Sequence, residues 1–396
     1  MNKHILNLTE VAQKPSRIIL GLMSGTSMDG LDLALCRITG SGPETEIELL
    51  EFDTWAYSSE FTEKLDEVVS VSECRMQDLC IMHTYVGNYT AHCVLEMLDR
   101  WGWQPGQVDC IASHGQTIYH APKSRHKQSG LPDATLQIGD GDHIARRTGI
   151  LTISDFRQKH TAAGGEGAPM AALVDRMVFA DADTDRLLLN IGGIANFTFV
   201  PALSSDQLSQ TADTGPGNTL MNAAARRLLQ RPFDDEGRTA RDGEPNQVLL
   251  EELKSNHYFE LPPPKTTGPE LFSWGYLQAA RRKTGTEQLS AEDLLATLTA
   301  FTADTIAEAA QNIGSSHPME ILVTGGGLHN TYLMKLLQDR LPKNSFSSFS
   351  DLFFDPDAKE AVCFGVLANE MLAGDGFYMD EEREEKINFG KISFAC

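Results

Sequence analysis

Two stretches of this chain share one grammar, and that repetition constrains the fold more than any other feature. RIILGLMSGTSMDGLDLALCRI, Arg17 to Ile38, is an apolar run, a gap of small and polar residues, and a second apolar run. RLLLNIGGIANFTFV, Arg186 to Val200, repeats the pattern around Gly192 and Gly193. Apolar runs with glycine at the corner read as β-hairpins. Each is followed by further glycine-rich punctuation, VDCIASHGQTIYH in the first half and TADTGPGNTL in the second. Either two unrelated hairpins or one duplicated α/β unit satisfies the pattern. At 396 residues the chain exceeds what a single core organises, so two domains are expected.

Helical periods fill the intervals. GAPMAALVDRMVFA puts Pro169 in a first turn and spaces Leu173, Val174, Met177 and Val178 along one face. SAEDLLATLTAFTADTIAEAAQNIG opens with Ser290 and Asp293 in capping-box spacing, carries a stripe of Leu294, Leu298 and Phe301, and stops at Gly314. MEILVTGGGLHNTYLMKLLQDRL reads as strand, glycine turn, helix. AKEAVCFGVLANEMLAG reads as a final helix ending at Gly374. Residues 231–272 are charged and then proline-rich, which suggests a functional excursion rather than core.

The formal charge is −22, with 33 Lys and Arg against 55 Asp and Glu. Such a surface repels nucleic acid and anionic membrane, which excludes both as natural partners. A polyphosphate substrate would then be met by backbone N–H groups and a metal ion. The 7 cysteines contain no C-x-x-C pair, and no apolar run approaches a membrane span. MNKHILNLTEVAQKPSR lacks the apolar core of a secretory signal, so a cytoplasmic protein with free thiols is expected.

Several polar residues stand where chemistry could use them, each with an ordinary structural alternative. The turn in LMSGTSMDGLD can present consecutive N–H groups to phosphate oxygens, with Thr26 and Ser27 adding hydroxyls. Asp29 is compatible with phosphate only across a divalent cation. The same residues also make a plain hairpin. TGGGLHN, Thr324 to Asn330, either lets a ring or phosphate lie on the backbone or is a close-packed strand-to-helix turn; it fits neither dinucleotide nor P-loop spacing. Asp213 precedes a Gly-Pro-Gly bend, as a general base or a turn former. His114, Gln116 and Thr117 follow the apolar VDCIA, where open α/β sheets bind ligands or where a structural histidine is satisfied. Arg157 could hold a carboxylate and Glu166 sugar hydroxyls. Glu360 begins the last helix, where the dipole favours negative charge in any case.

Taken together, LMSGTSMDGLD, SHGQTIYH, DFRQKHTAAGGEGAP, LNIGGIANF, DTGPGNTLMNA, PPKTTG, VTGGGLHN and KEAVCFGVLAN closely resemble the anhydro-N-acetylmuramic acid kinase family, and almost as well its relative levoglucosan kinase, from about Arg17 to Gly374. The resemblance implies an α/β fold of the sugar kinase/Hsp70/actin type: two domains, a duplicated α/β unit and a central cleft. Residues 17–165 would form the N-terminal domain and 166–396 the C-terminal one, with the excursion at 231–272. It implies ATP and Mg²⁺ as cofactors, an anhydrosugar as substrate and a homodimer. It further implies that water would open the 1,6-anhydro bridge at C1 while O6 takes the γ-phosphoryl group. Asp213 would activate that water. Ser24, Gly25, Thr26, Ser27, Met28, Asp29, Gly30 and Leu31 would hold phosphates, and Gly192, Gly193, Gly215, Gly217 and Asn218 would also bind ATP. Gly325, Gly326 and Gly327 would line the nucleoside pocket, Asn330 would bind ATP, and Asp29 and Glu360 would hold the metal. His114, Gln116, Thr117, Arg157, Gly164, Gly165 and Glu166 would contact sugar.

Departures from the family pattern lie on the sugar side. Glu166 stands where Gln is usual, His160 where Asp is usual, and Pro269 in TGPELFS where an Arg is usual. The AAGG run and Arg157 favour the carboxylate-bearing muramic acid sugar over levoglucosan. A non-catalytic sugar- or nucleotide-binding regulator is the alternative from another class. A nicotinamide-linked oxidoreductase lacks its fingerprint.

Overall fold

The computed structural model describes residues 2–25, 28–168, 170–315, 317–378 and 386–395. Thr26, Ser27 and Pro169 lie outside the described residues. The chain divides into two compact units, Met1–Val178 with Asp357–Cys396, and Phe179–Pro356.

The first unit holds β1 (Ser16–Ser24), β2 (Gly30–Thr39), β3 (Glu46–Ala56), β4 (Cys110–Ala121), β5 (Ala134–Ile138) and β6 (Thr152–Ser154). The second holds β7 (Arg186–Ile191), β8 (Ile194–Val200), β9 (Gln210–Pro216), β10 (Glu320–Thr324) and β11 (Ser345–Ser348). Near the end of the chain, β12 (Phe377–Tyr378) pairs with β13 (Lys386–Ile387), and β14 (Lys391–Ser393) extends the first sheet beyond β6.

The sheets repeat one topology. In the first, β3, β2 and β1 run antiparallel in that order, then β4 joins β1 in parallel and β6 joins β4 in parallel. In the second, β9, β8 and β7 are antiparallel, then β10 and β11 follow in parallel. The duplicated unit expected from the two hairpins is present. Its internal correspondence differs from the sequence pattern, however. TADTGPG lies on β9, whose counterpart is β3, a strand without glycine. The counterpart of VDCIASHGQ on β4 is EILVTGGG on β10. Glycine punctuation followed the turns at strand ends and not the order of strands.

Burial explains the strand sequences. β1 is central and buried over nearly all its length, so its residues form a continuous apolar run. β3 is an edge strand, and Glu46, Glu48, Glu51 and Asp53 blunt its free side. The final helix, Lys359–Ala373, packs on β1, β2 and β4 of the first unit, although the sequence had placed it in the second domain. Its seat is Gly21 on β1, where an added Cβ would lie 3.2 Å from the Gly365 amide nitrogen and 2.8 Å from the Ala361 carbonyl carbon.

In the second unit, Ala291–Asn312 is the core helix. Ser290 caps it by accepting from the Asp293 N–H at 3.0 Å, as the spacing predicts. It is buried nearly all round, beyond the expected stripe, because alanine and threonine fill its other faces. The excursion also departs from expectation. Leu249, Leu250 and Leu253 of the helix Gln247–Lys254, together with Tyr258 and Phe272, belong to this core. An eight-residue amphipathic helix inside a charged segment contributes too few apolar residues to stand out in composition. Among the described residues no helix is long and apolar enough to cross a membrane.

Candidate active site

In the first unit the β1–β2 turn is held from below by a polar relay. Ser24, buried at the end of β1, donates to Gln116 Oε1 at 2.6 Å and accepts from the Tyr57 hydroxyl at 2.9 Å. Gln116 Nε2 donates to the Gly25 carbonyl at 3.2 Å. Tyr57 was not foreseen; it reaches the turn through tertiary packing alone. Met28 takes φ +54°, and Asp29 is exposed, its carbonyl accepting from the Tyr57 N–H at 3.0 Å. Gly30 and Leu31 already belong to β2, with the Leu31 side chain buried, so only their backbone can face a ligand.

A register shift between β1 and β4 falls at His114 and Gly115, next to this relay. Gly115 has φ +77°, and its missing side chain lets the bulge lie on the Ile138 carbonyl. His114 is buried, and its Nε2 accepts from Arg157 Nε at 2.8 Å, which makes Nδ1 the protonated nitrogen donating to the Gly115 carbonyl at 2.8 Å. Burial, with the Arg157 charge adding, pushes its pKa down to about 3, so the ring stays neutral. Thr117 Oγ1 accepts from Gln137 Nε2 at 3.2 Å.

Arg157 spends two of its donors internally: Nε on His114 and Nη1 on the Gly167 carbonyl at 2.8 Å. Its immediate role is to orient His114 and close the loop 163–167. His160 shapes the same loop by accepting from the Gly167 N–H at 2.7 Å. Gly165 lies against the His160 ring, with space for no Cβ, while Gly164, with φ +91°, and Glu166 are exposed.

Carboxylates gather at the foot of the final helix. Glu360 keeps much of its side chain exposed, yet the protein packed around its carboxyl holds it above the ordinary carboxylate range by desolvation, opposed by the Arg157 charge and reinforced by Asp32 and Asp175. Asp32 is likewise raised by burial, against a hydrogen bond from Thr54, with Asp29 and Asp357 adding repulsion. Asp32 was overlooked in the sequence although it lies within LMSGTSMDGLD. Among the described residues no group of three His, Cys, Asp or Glu side chains is arranged to hold a metal by itself. Excess negative charge from one or two carboxylates suits Mg²⁺, which keeps waters and takes its other ligands from phosphates.

In the second unit Asp213 lies on β9 beside a bulge at Thr214. Its backbone is clasped on both sides: its N–H donates to the Lys265 carbonyl at 3.0 Å, and its carbonyl accepts from the Tyr258 hydroxyl at 2.7 Å. Its Oδ2 accepts from the Thr267 N–H at 2.8 Å, while Oδ1 accepts no hydrogen bond among the described residues. Burial raises its pKa and the Thr267 amide opposes the rise. The Gly-Pro-Gly bend that follows is pinned from the core helix by the Thr302 hydroxyl, shared between the Pro216 and Gly217 carbonyls at 3.0 Å each. Gly215, with φ +141°, lies close to the Phe259 ring, where an added Cβ would stand 3.0 Å from Cε1.

The β7–β8 turn meets the bend through backbone. Gly217 and Thr219 N–H groups donate to the Gly193 carbonyl, and Asn218 N–H to the Gly192 carbonyl at 2.8 Å. Those amides are therefore engaged within the protein, and Asn218 Nδ2 donates to the Ile191 carbonyl at 2.9 Å. In the TGGG turn, Gly325 (φ +79°) and Gly327 press on Asn190 and Ile191, whereas Gly326 is open. A 3₁₀ turn, Gly326–His329, precedes the helix Thr331–Arg340, which Asn330 caps by accepting from the Leu333 N–H at 3.0 Å. The packing reading thus accounts for two of these glycines and for Asn330, and it leaves Gly326 free for a ligand.

A family model described as anhydro-N-acetylmuramic acid kinase matches residues 17–375. Proteins of that name from Pseudoalteromonas translucida and Pseudoalteromonas atlantica are 46% and 45% identical to this chain, with 100% of each chain covered. One from Caldanaerobacter subterraneus is 36% identical over 98% of this chain and 99% of its own. With matches of this length and identity, the chain belongs to the anhydro-N-acetylmuramic acid kinase family.

Proposed function

We propose that the chain converts 1,6-anhydro-N-acetylmuramic acid, water and ATP into N-acetylmuramic acid 6-phosphate and ADP. The observation that carries this reading is Asp213, with one carboxylate oxygen fixed by a backbone N–H and the other open. A carboxylate held in this way is aimed before substrate arrives, which is what a general base requires. Oδ1 takes a proton from water, and the water oxygen bonds to C1. The C1–O6 bond breaks, and the freed O6 captures the γ-phosphorus as the β–γ bridge bond breaks and ADP departs.

The other groups act by position and charge. Backbone N–H groups of the β1–β2 turn and of Gly192 and Gly193 meet phosphate, and the turn carrying Gly325 to Gly327 lines the nucleoside through its open Gly326. Thr117 and Glu166 offer hydrogen bonds to sugar oxygens, and His114 and Gln116, whose polar atoms are engaged within the protein, support the wall behind them. Asp29 and Glu360 are the residues that would hold Mg²⁺ with its waters. Bound there, the ion supplies neutralisation of the phosphate charge. Family membership, more than the engaged guanidinium of Arg157, supports the muramic acid sugar.

The test is product analysis in ¹⁸O-water with each anhydrosugar. Label at C1 and phosphate at O6, with the larger kcat/KM on the muramic acid sugar, is the expected result. Label on phosphate, or an intact anhydro bridge in the product, overturns the mechanism; preference for levoglucosan overturns the substrate. Asp29→Ala is expected to raise the magnesium concentration for half-maximal rate by roughly 10-fold or more, the scale of losing a metal-shell partner. An unchanged magnesium titration removes Asp29 from that role.

A further inference from the structure

One residue touches both ends of the β1–β2 turn. Tyr57, just past β3, gives its N–H to the Asp29 carbonyl at 3.0 Å and its hydroxyl to Ser24 Oγ at 2.9 Å. Its ring packs edge-on against Phe61, with centroids 4.6 Å apart. The protein around the hydroxyl holds its pKa above the ordinary tyrosine value, so the group stays a donor. That donation sets the direction of the bonds that follow. The single Ser24 hydroxyl hydrogen has two acceptors within reach, Gln116 Oε1 at 2.6 Å and the Gly30 carbonyl at 3.5 Å. With Tyr57 occupying a lone pair of Oγ, the hydrogen goes to Gln116. Gln116 then presents Nε2 to the Gly25 carbonyl at 3.2 Å, and the Met28 N–H meets the same carbonyl at 3.4 Å. A carbonyl oxygen turned toward phosphate would repel it, so a Gly25 carbonyl engaged within the protein is what an anion-binding turn needs.

We infer that Tyr57 is a positioning residue for the nucleotide, its hydroxyl acting through Ser24 and Gln116 to keep the Gly25 carbonyl engaged and the turn set for phosphate. This rests on the β1–β2 turn being the phosphate site. The Tyr57 amide has a separate task, holding Asp29, and does not depend on the side chain.

The experiment uses the full chain with Mg·ATP and the muramic acid anhydrosugar, comparing Tyr57→Phe, Ser24→Ala and the double variant with the unmodified protein. Tyr57→Phe keeps the ring and the amide. It is expected to lose about 5–10-fold in kcat/KM for ATP, the worth of one hydrogen bond, with KM for the sugar within about two-fold. Ser24→Ala is expected to lose at least as much, and the double variant no more than Ser24→Ala, because both changes break one chain. A Tyr57→Phe protein within about two-fold of the unmodified one in kcat/KM for ATP overturns the inference. So do losses that multiply in the double variant, or a loss shared by the sugar KM or matched by a lowered melting temperature. Asp29→Ala separates the inference from the reading beneath it. If Asp29→Ala and Ser24→Ala also leave Mg·ATP use unchanged, the turn is not the phosphate site. If they impair it and Tyr57→Phe does not, only the tyrosine's role is lost.

Discussion

Asp213→Asn is expected to keep ATP binding and to lose turnover by about 10²–10⁴-fold, the usual contribution of a general base. The substitution preserves shape, and the amide oxygen of Asn can still accept the Thr267 N–H that now bonds Oδ2 at 2.8 Å. What disappears is the basic oxygen. The pH profile supplies a second reading. Burial raises the Asp213 pKa, so in the unmodified enzyme kcat/KM should fall on the acid side with a midpoint above the ordinary aspartate value of about 3.9. A carboxyl with a raised folded pKa binds its proton more tightly when folded. Its ionisation therefore opposes folding as pH climbs from the ordinary value through the raised one, and that penalty persists at neutral pH. Asp213→Asn removes it, so the variant should melt at or above the unmodified protein near pH 7. A variant within about ten-fold of normal turnover sinks the base assignment. One that melts well below the unmodified protein makes Asp213 structural instead.

What the sequence disclosed and what it hid follow from range. The hairpins at Gly25 and Gly192–Gly193, the Ser290 cap and the Gly374 stop depend on neighbouring residues, and local pattern carries them. The support of the site does not. Tyr57 reaches Ser24, and Thr267 and Tyr258 reach Asp213, from elements far along the chain. No period or motif in the sequence records such pairings. The bulges at His114–Gly115 and at Thr214 are hidden for the same reason, since each is defined by register against another strand. The role of the excursion was obscured by composition: charged and proline-rich residues on its outer side mask the leucines that enter the core. Arg157 shows a further limit. Its charge was legible, but two of its donors are consumed by His114 and Gly167, which only coordinates reveal.

Gly21 offers the sharpest test of how the fold places Glu360. The final helix, with Glu360 in its first turn, rests backbone-to-backbone on β1 at this glycine. In Gly21→Ala the new Cβ would overlap the Ala361 carbonyl oxygen and stand 2.8 Å from the Ala361 carbonyl carbon. Neither side can yield cheaply, because β1 is the central strand and is bonded on both edges to β2 and β4, while the helix is packed across all three. The cost should be at the upper end of overpacking, about 3 kcal/mol. For a unit of this size that corresponds to a melting temperature lower by roughly 6–12 °C. Magnesium-dependent activity should fall with it, since relieving the overlap at Ala361 displaces the first turn of the helix, which carries Glu360. Gly365→Ala on the same helix is the control. Its Cβ would meet Ile38 Cδ1 at 3.7 Å and Ile19 Cγ2 at 3.8 Å, ordinary contact distances. Replacing a mid-helix glycine there should leave stability unchanged or raise it by up to about 1 kcal/mol. Thermal unfolding of the pair decides the matter. If Gly21→Ala melts like the unmodified protein, the helix is not seated on β1 as described; if Gly365→Ala falls as far as Gly21→Ala, the contact at Gly21 is not the particular constraint.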